Sequence, residues 1–223
     1  GIPIVTNTNI SQNRDVPRSP RDSVLGLVLE DYRYALDKVP EEPDNKGFIS
    51  NGAVKAALAR YHIYAENWQD AEQYAGEVID SVGTQAYQLE ANFEDVLTDF
   101  SDESILEIVY SANDNPGTST NFSINNLFSG RREIIPSDEI VFALRNEGGE
   151  REQMIEFNSE DAGGRDNGWT ITRYGPFDNV VVFRLAEMFL IRAEARAQLG
   201  NIAGVNSGLE DLNTIRKSAG LAP

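Results

Sequence analysis

The chain has 223 residues, with 36 Asp and Glu against 19 Lys and Arg, for a formal charge of −17 at neutral pH. So acidic a chain is repelled by nucleic acid and by anionic membrane surfaces unless it carries a local basic stripe, and the sequence shows none. There is no cysteine, which removes disulfide frameworks, thiolate metal sites and thiol nucleophiles together.

With 40% apolar and 25% charged residues the chain can bury an ordinary core. Its longest apolar runs, such as 180–183, fall far short of the roughly 18 residues of a membrane span. A basic-then-apolar leader is absent at the N-terminus, and a start at Gly1 reads as a processed or excised piece. Residues 1–17 are rich in Asn, Thr and Pro and predict an extended leader.

Ser19 as N-cap, Pro20 at the first helical position and Asp22 behind them predict a helix start. Leu25, Val28, Leu29, Tyr32, Ala35, Leu36 and Val39 then recur at helical spacing up to Pro40. From Ser50, the small residues Ala53, Ala56, Ala57 and Ala59 predict a helix that a neighbour can approach closely. Asn67 and Asp70 open a partner helix that buries Trp68, Ala71, Tyr74, Ala75, Val78 and Ile79. The two form an αα-hairpin.

A second pair follows late in the chain. Phe183, Ala186, Phe189, Leu190, Ala193 and Ala197 make one stripe, and Ile202, Val205, Leu209, Leu212 and Ile215 the next, with Gly200-Asn201 as the turn. Laid over the first pair without a gap, Ala59 falls on Ala193, Asn67 on Asn201, Trp68 on Ile202, Ala71 on Val205 and Val78 on Leu212. Such an internal repeat is the pattern of tetratricopeptide-like stacking, in which each pair covers the apolar face of the next.

Between the pairs, Ile105, Ile108 and Tyr110 predict a short strand, Ser137 to Leu144 a brief helix, and the alternation of Trp169, Ile171 and Arg173 another strand. The intervening chain, 113–130 and 147–168, reads as loop. An excursion this long between stacked helix pairs is commonly functional. The expected organisation is a leader over 1–17, a helical scaffold over 18–82, a loop-rich insertion over 83–177 and a second helix pair over 178–223.

In a series of short segments taken in order over almost the whole chain, the sequence resembles the SusD-like (RagB/SusD) outer-membrane lipoproteins of Bacteroidetes. The resemblance is carried by Arg18, by DYRYALDKVP at 31–40, and by GFISNGAVKAALARYHIY at 47–64 with Trp68, Ala71 and Val78. It continues through Tyr87-Gln88-Leu89, DESILEIVY at 102–110, RLAEMFLIRAEARAQLG at 184–200 and LNTIRKSAGL at 212–221. The family's lipidated N-terminal cysteine, its first helical segments and its closing helical stretch have no counterpart here, and its acidic-then-Arg motif is met only loosely by Glu150-Arg151. What the resemblance implies is a mainly α protein of tetratricopeptide-like helix pairs with an insertion of loops and short strands. It implies a cell-surface, non-catalytic protein for polysaccharide utilisation and nutrient uptake. Such a protein captures a glycan and delivers it to a SusC-like TonB-dependent transporter, itself held to the outer membrane by a lipid anchor absent from this chain. It implies no cofactor. The alternative is a tetratricopeptide-like protein-interaction scaffold.

A glycan site needs an aromatic platform beside planar polar groups that both donate and accept. Trp169, behind Arg165, Asp166, Asn167 and Gly168, is the first candidate, and packing of a small hairpin against the helices is its other use. Phe122, Asn125, Asn126 and Phe128 form an aromatic–amide cluster, with a self-packed loop as the alternative; Asn167 and Arg173 complete the set. His62, the single histidine, stands without a ligand-spaced partner and reads as a surface or satisfied side chain. Carboxylate pairs among Asp99, Asp102, Glu103 and Glu107 arise by chance in so acidic a chain; Glu187 and Glu194 read as scaffold salt bridges to Arg184 or Arg192. The run 99–103 lacks the spacing and glycine of a calcium loop.

Overall fold

A computed structural model describes residues 2–41, 43–81, 87–111, 113–114, 125–159, 167–175 and 177–223. Seven α-helices carry it: α1 (Ile10–Asn13), α2 (Arg21–Leu36), α3 (Asn51–Tyr64), α4 (Trp68–Ile79), α5 (Asp138–Glu147), α6 (Leu185–Gln198) and α7 (Gly208–Ser218). Four short strands accompany them: β1 (Ser104–Ile108), β2 (Ile155–Asn158), β3 (Gly168–Ile171) and β4 (Val180–Arg184). Among the described residues no helix is long and apolar enough to cross a membrane.

The scaffold is the expected mainly α stack, with α3 against α4, α4 against α6 and α6 against α7. Ser50 caps α3, its hydroxyl accepting from the Ala53 N–H. Alanines then do what their size allows. Ala53, Ala56, Ala57 and Ala59 of α3 meet Ala71, Ala75 and Val78 of α4 and Met188, Ile191 and Ala195 of α6 in one core that also takes Ile105 and Phe183. Small side chains let the axes close until α3 is buried almost all round.

The leader is not wholly extended, since Ile10–Asn13 makes a helical turn capped by Asn9. It folds back on itself: Ser19 N–H donates to the Ile2 carbonyl, and the Ser19 hydroxyl accepts from Ile4 N–H. Occupied there, Ser19 does not cap α2; Pro20 takes the N-cap position without a side-chain hydrogen bond. The helix then stops at Leu36, short of Pro40, where the Lys38 and Val39 N–H groups both turn back to the Ala35 carbonyl. Its apolar stripe is half-buried because α2 packs on α3 from the rim of the stack.

The repeat is real, but it is not gapless. Adding 134 to the bounds of α3, 51 and 64, gives 185 and 198, the bounds of α6. The turn that follows repeats at the same offset: Asn67 N–H donates to His62 O as Asn201 N–H does to Arg196 O. Glu66 and Gly200 take the same left-handed position, at φ 59° and 89°. Beyond this turn the second copy carries six extra residues, because 68 + 134 is 202 while α7 begins at Gly208. Ile202 and Val205 lie in that insert, mostly exposed, and Leu209 and Leu212 are also water-facing; α7 buries Gly208 and Asp211 instead. The equivalence at offset 140 pairs Ala71 with Asp211 and Asn67 with Ser207, which caps α7.

Phe183 belongs to β4 rather than to a helix, and Leu190 and Ala197 of α6 face water. Strand β4 pairs antiparallel with β1, and its last residue, Arg184, serves as the N-cap position of α6. The scaffold ion pairs also differ from expectation. Glu187 holds Arg60 of α3 with two bonds of 2.6 Å, and the same guanidinium donates to the Val182 carbonyl and lies 4.0 Å from the Phe183 ring. Arg192 and Arg196 converge on Asp211 at 2.8 and 2.9 Å, with Arg196 also reaching Glu72. His62 is buried, stacked on Tyr74 at 5.6 Å and within 3.3 Å of the Asn67 carboxamide. Burial lowers its pKa, partly offset by Asp70.

Candidate functional site

The described part of the insertion is organised on a two-stranded ribbon that faces α5. Ser137 caps α5 by accepting from Ile140 N–H, and Gly148, at φ 75°, ends it in the left-handed region that suits glycine. The chain then forms a 3₁₀ turn over Glu150–Met154, anchored where the Glu150 carboxylate accepts from Phe93 N–H at 2.7 Å. It continues into β2, a strand within the stretch 147–168 read from sequence as loop. Strand β3 pairs with β2 antiparallel, setting Phe157 opposite Trp169 and Ile155 opposite Ile171. Alternation along β3 turns Trp169 toward the small core of Val141, Leu144 and Ile155, while the Thr170 hydroxyl donates to the Phe128 carbonyl on the other side.

Trp169 is therefore half-buried, with the Arg145 guanidinium 5.2 Å from its ring centre. The neighbouring water-facing ring is Phe157, 51% exposed and edge-to-face with Trp169 at 5.5 Å and 79°. Both rings line a surface hollow of about 520 Å³ together with Arg132, Pro136, Asp138 and Asn167. Arg132 forms the floor. It is 3% exposed, adopts φ 50°, and donates to the Trp169 carbonyl at 3.3 Å. A Cβ at residue 168 would come within 2.9 Å of the same guanidinium, so a larger residue there requires the arginine tip to shift.

A second group gathers around Tyr174. Phe128 stacks on that ring at 5.4 Å and 23°, the Arg173 guanidinium lies 5.1 Å from it, and the Asn125 carboxamide donates to the Tyr174 carbonyl at 2.6 Å. Phe128 and Asn126 lie on a π-turn, Asn126–Gly130, held to β3 by the Ser129 hydroxyl on the Ile171 carbonyl. A Cβ at residue 130 would meet the Asn126 carboxamide, so a larger residue there requires that side chain to move. Burial lowers the pKa of Arg173, reinforced by nearby Arg184 and opposed by Tyr174.

The sequence candidates thus fall into two groups: Asn167 and Trp169 at the hollow, and Asn125, Asn126, Phe128 and Arg173 around Tyr174. Phe122 lies outside the described residues, as do Arg165 and Asp166. Phe157, Asp138 and Tyr174 are not among the sequence candidates, whereas Arg132, like Arg131, Arg165 and Arg173, is read from sequence as a loop arginine able to favour an anionic sugar. The Ile-Glu-Phe-Asn alternation at 155–158 carried the signal for Phe157, once β2 is set opposite Trp169.

The buried carboxylates sit elsewhere. Glu107, 2% exposed, accepts from Phe100 N–H at 2.9 Å and from the Asn179 carboxamide at 2.7 Å. Burial raises the pKa of Glu103, with Arg184 pulling the other way. Neither lines the hollow. Among the described residues no group of three or more His, Asp or Glu is placed to hold a metal ion.

Comparison with known proteins agrees with this architecture. The model of the SusD family matches residues 154–223. A SusD-like protein of Bacteroides ovatus is 27% identical over 106 residues, which cover 43% of this chain and 19% of that protein. A SusD superfamily structure from Bacteroides vulgatus superposes with a TM-score of 0.78 at 26% identity, over 92% of this chain and 48% of its own. A laminarin-binding SusD-like protein has the same fold at TM-score 0.79 and 23% identity, over 99% of this chain and 59% of its own. The chain spans about half the length of these two structures. Family model, curated relative and fold point the same way: the chain is similar to proteins of the SusD family and shares their fold.

Proposed function

We propose that the chain binds a glycan, and that the hollow beside Phe157 and Trp169 is where it does so. The observation that carries this is the pairing of a water-facing aromatic ring with an amide and a carboxylate, Asn167 and Asp138, around one concavity. Sugar rings offer C–H faces to the first and hydroxyls to the others. The laminarin-binding relative with the same fold supports the ligand class. The Tyr174 group, with Phe128, Asn125, Asn126 and Arg173, is the second candidate contact surface, on the opposite side of the ribbon.

The mechanism is capture without turnover. The deeply buried carboxylates Glu103 and Glu107 are enclosed in the scaffold and away from the hollow, which supports a binding role over a hydrolytic one. In the full-length setting the protein is anchored by lipid at the outer membrane and passes its sugar to a SusC-like TonB-dependent transporter. Similarity to the SusD family supports that larger reading.

The interaction-scaffold reading has one observation in its favour, the apolar ridge of Ile202, Val205, Leu209 and Leu212 left facing water. Calorimetry against neutral plant, algal and storage polysaccharides separates the two. Glycan binding lost in Phe157→Ala and weakened in Trp169→Ala is the expected result. A folded chain that binds none of them overturns the glycan reading.

A further inference from the structure

The hollow is built from charges that are not equally available to a ligand. Its positive member, Arg132, lies under the floor at 3% exposure with a donor committed to the Trp169 carbonyl. Its negative member, Asp138, opens α5 on the exposed side of the helix and lines the rim, next to exposed Asn167. Within the lining, a ligand entering from water therefore meets a carboxylate and an amide before it meets Arg132. The approach is acidic as well, because Glu139 faces water beside Asp138 and the whole chain carries −17, while Glu133 is paired with Arg131. Like charges at contact distance, in a field of the same sign, oppose association.

We infer that the hollow selects an uncharged glycan and that Asp138 is the residue that turns anionic chains away. This rests on the glycan reading above and adds the class of glycan. Asp138 accepts from a sugar hydroxyl, as a neutral ring requires, and repels a sulfate or a uronate carboxylate in the same position. The burial of Arg132 keeps its charge from reversing that preference, since a cation beneath the ribbon backbone cannot form the bidentate contact through which arginine holds an anion.

The test uses matched pairs of polymers: laminarin, amylopectin, xyloglucan and galactomannan, each beside its own sulfated derivative. Affinity of the intact 223-residue chain is measured at low and high salt. The neutral polymer that binds should exceed its sulfated form by about tenfold or more at low salt, and the gap should narrow as salt screens it. Asp138→Asn, which keeps size and an acceptor oxygen, should close much of the gap between the neutral polymer and its sulfated form. Glu139→Gln, with the same change in net charge one residue outside the lining, should leave most of the gap in place. Sulfated polymer bound as tightly as neutral polymer overturns the inference while leaving glycan capture standing. So does a gap indifferent to Asp138→Asn, or closed equally by Glu139→Gln. Binding of no polymer by a chain folded by circular dichroism overturns the glycan reading and this inference with it.

Discussion

Glu66 offers a direct test of how the repeat is built. It holds the left-handed position that ends α3, at φ 59°, while its counterpart after α6 is Gly200, at φ 89°. A residue with a Cβ pays about 1–2 kcal/mol for that conformation. Replacing Glu66 with glycine removes this strain but returns about 0.5–1 kcal/mol of backbone freedom to the unfolded chain. The Glu66 side chain is exposed, so little packing is lost. The net expectation for Glu66→Gly is a gain of about 0.5–1 kcal/mol, or a melting temperature higher by about 1–4 °C in a chain of this length. Gly200→Ala should move the other way by about 1 kcal/mol, since nothing lies within 4 Å of the added Cβ to compensate the strain. Urea titration of both variants, with the slope checked for constancy, reads the two signs. A lower midpoint for Glu66→Gly, or a higher one for Gly200→Ala, would refute the claim that both turns close by the same left-handed cap.

Three further outcomes follow from the packing. Asp211→Ala removes the buried carboxylate that Arg192 and Arg196 share, leaving Arg196 on Glu72 and Arg192 near Asp80, and should cost about 3 kcal/mol by urea unfolding, a loss that added salt does not restore. The folded pKa of His62 lies below its ordinary 6.5, so the unfolded chain binds the extra proton first as pH falls. Stability should therefore decline from pH 7 downward and level off below the folded pKa, and the decline should be shallower in His62→Asn; an identical pH profile for the two would sink the argument. Glu103, raised above 4.5, acts in the opposite sense at lower pH, which is why the comparison is made between variants. In binding assays Phe157→Ala should cost more affinity than Trp169→Ala, because Phe157 faces water and Trp169 is held against α5.

Much of the scaffold could be read from local pattern. The alanines of α3, the Ser137 cap of α5 and the alternation around Trp169 are signals that neighbouring residues carry by themselves. What failed was what depends on distant chain. Val180 to Phe183 runs directly into a helix with no intervening loop, so Phe183 matched the helical stripe although its partner strand lies at 104–108. Ile202 and Val205 sit at helical spacing in a segment that is an insert, and only the position of Ser207 as the cap of α7 reveals the shift. Glu187 finds Arg60 rather than a neighbour on its own helix, a choice made by the α3–α6 packing. At the site, Trp169 could be picked out but not its burial; whether a ring faces water depends on α5, which the β3 sequence does not encode.

The pairing of β1 with β4 has a consequence for how such proteins diversify. The two strands enter and leave the region 109–179 side by side, fastened to α3 by the Arg60 bond to the Val182 carbonyl and to the turn before it by the Glu107 N–H bond to the Lys46 carbonyl. Whatever lies between them begins and ends at the same spot on the scaffold, like a bag closed by a drawstring. Lengthening a closed loop costs little, about 0.6 kcal/mol for each doubling. The contents of the bag can therefore be enlarged, trimmed or exchanged for another surface while the drawstring and the helices stay as they are. A chimera that swaps the region at these two strands should keep the unfolding behaviour of the scaffold and take on the ligand of the donor.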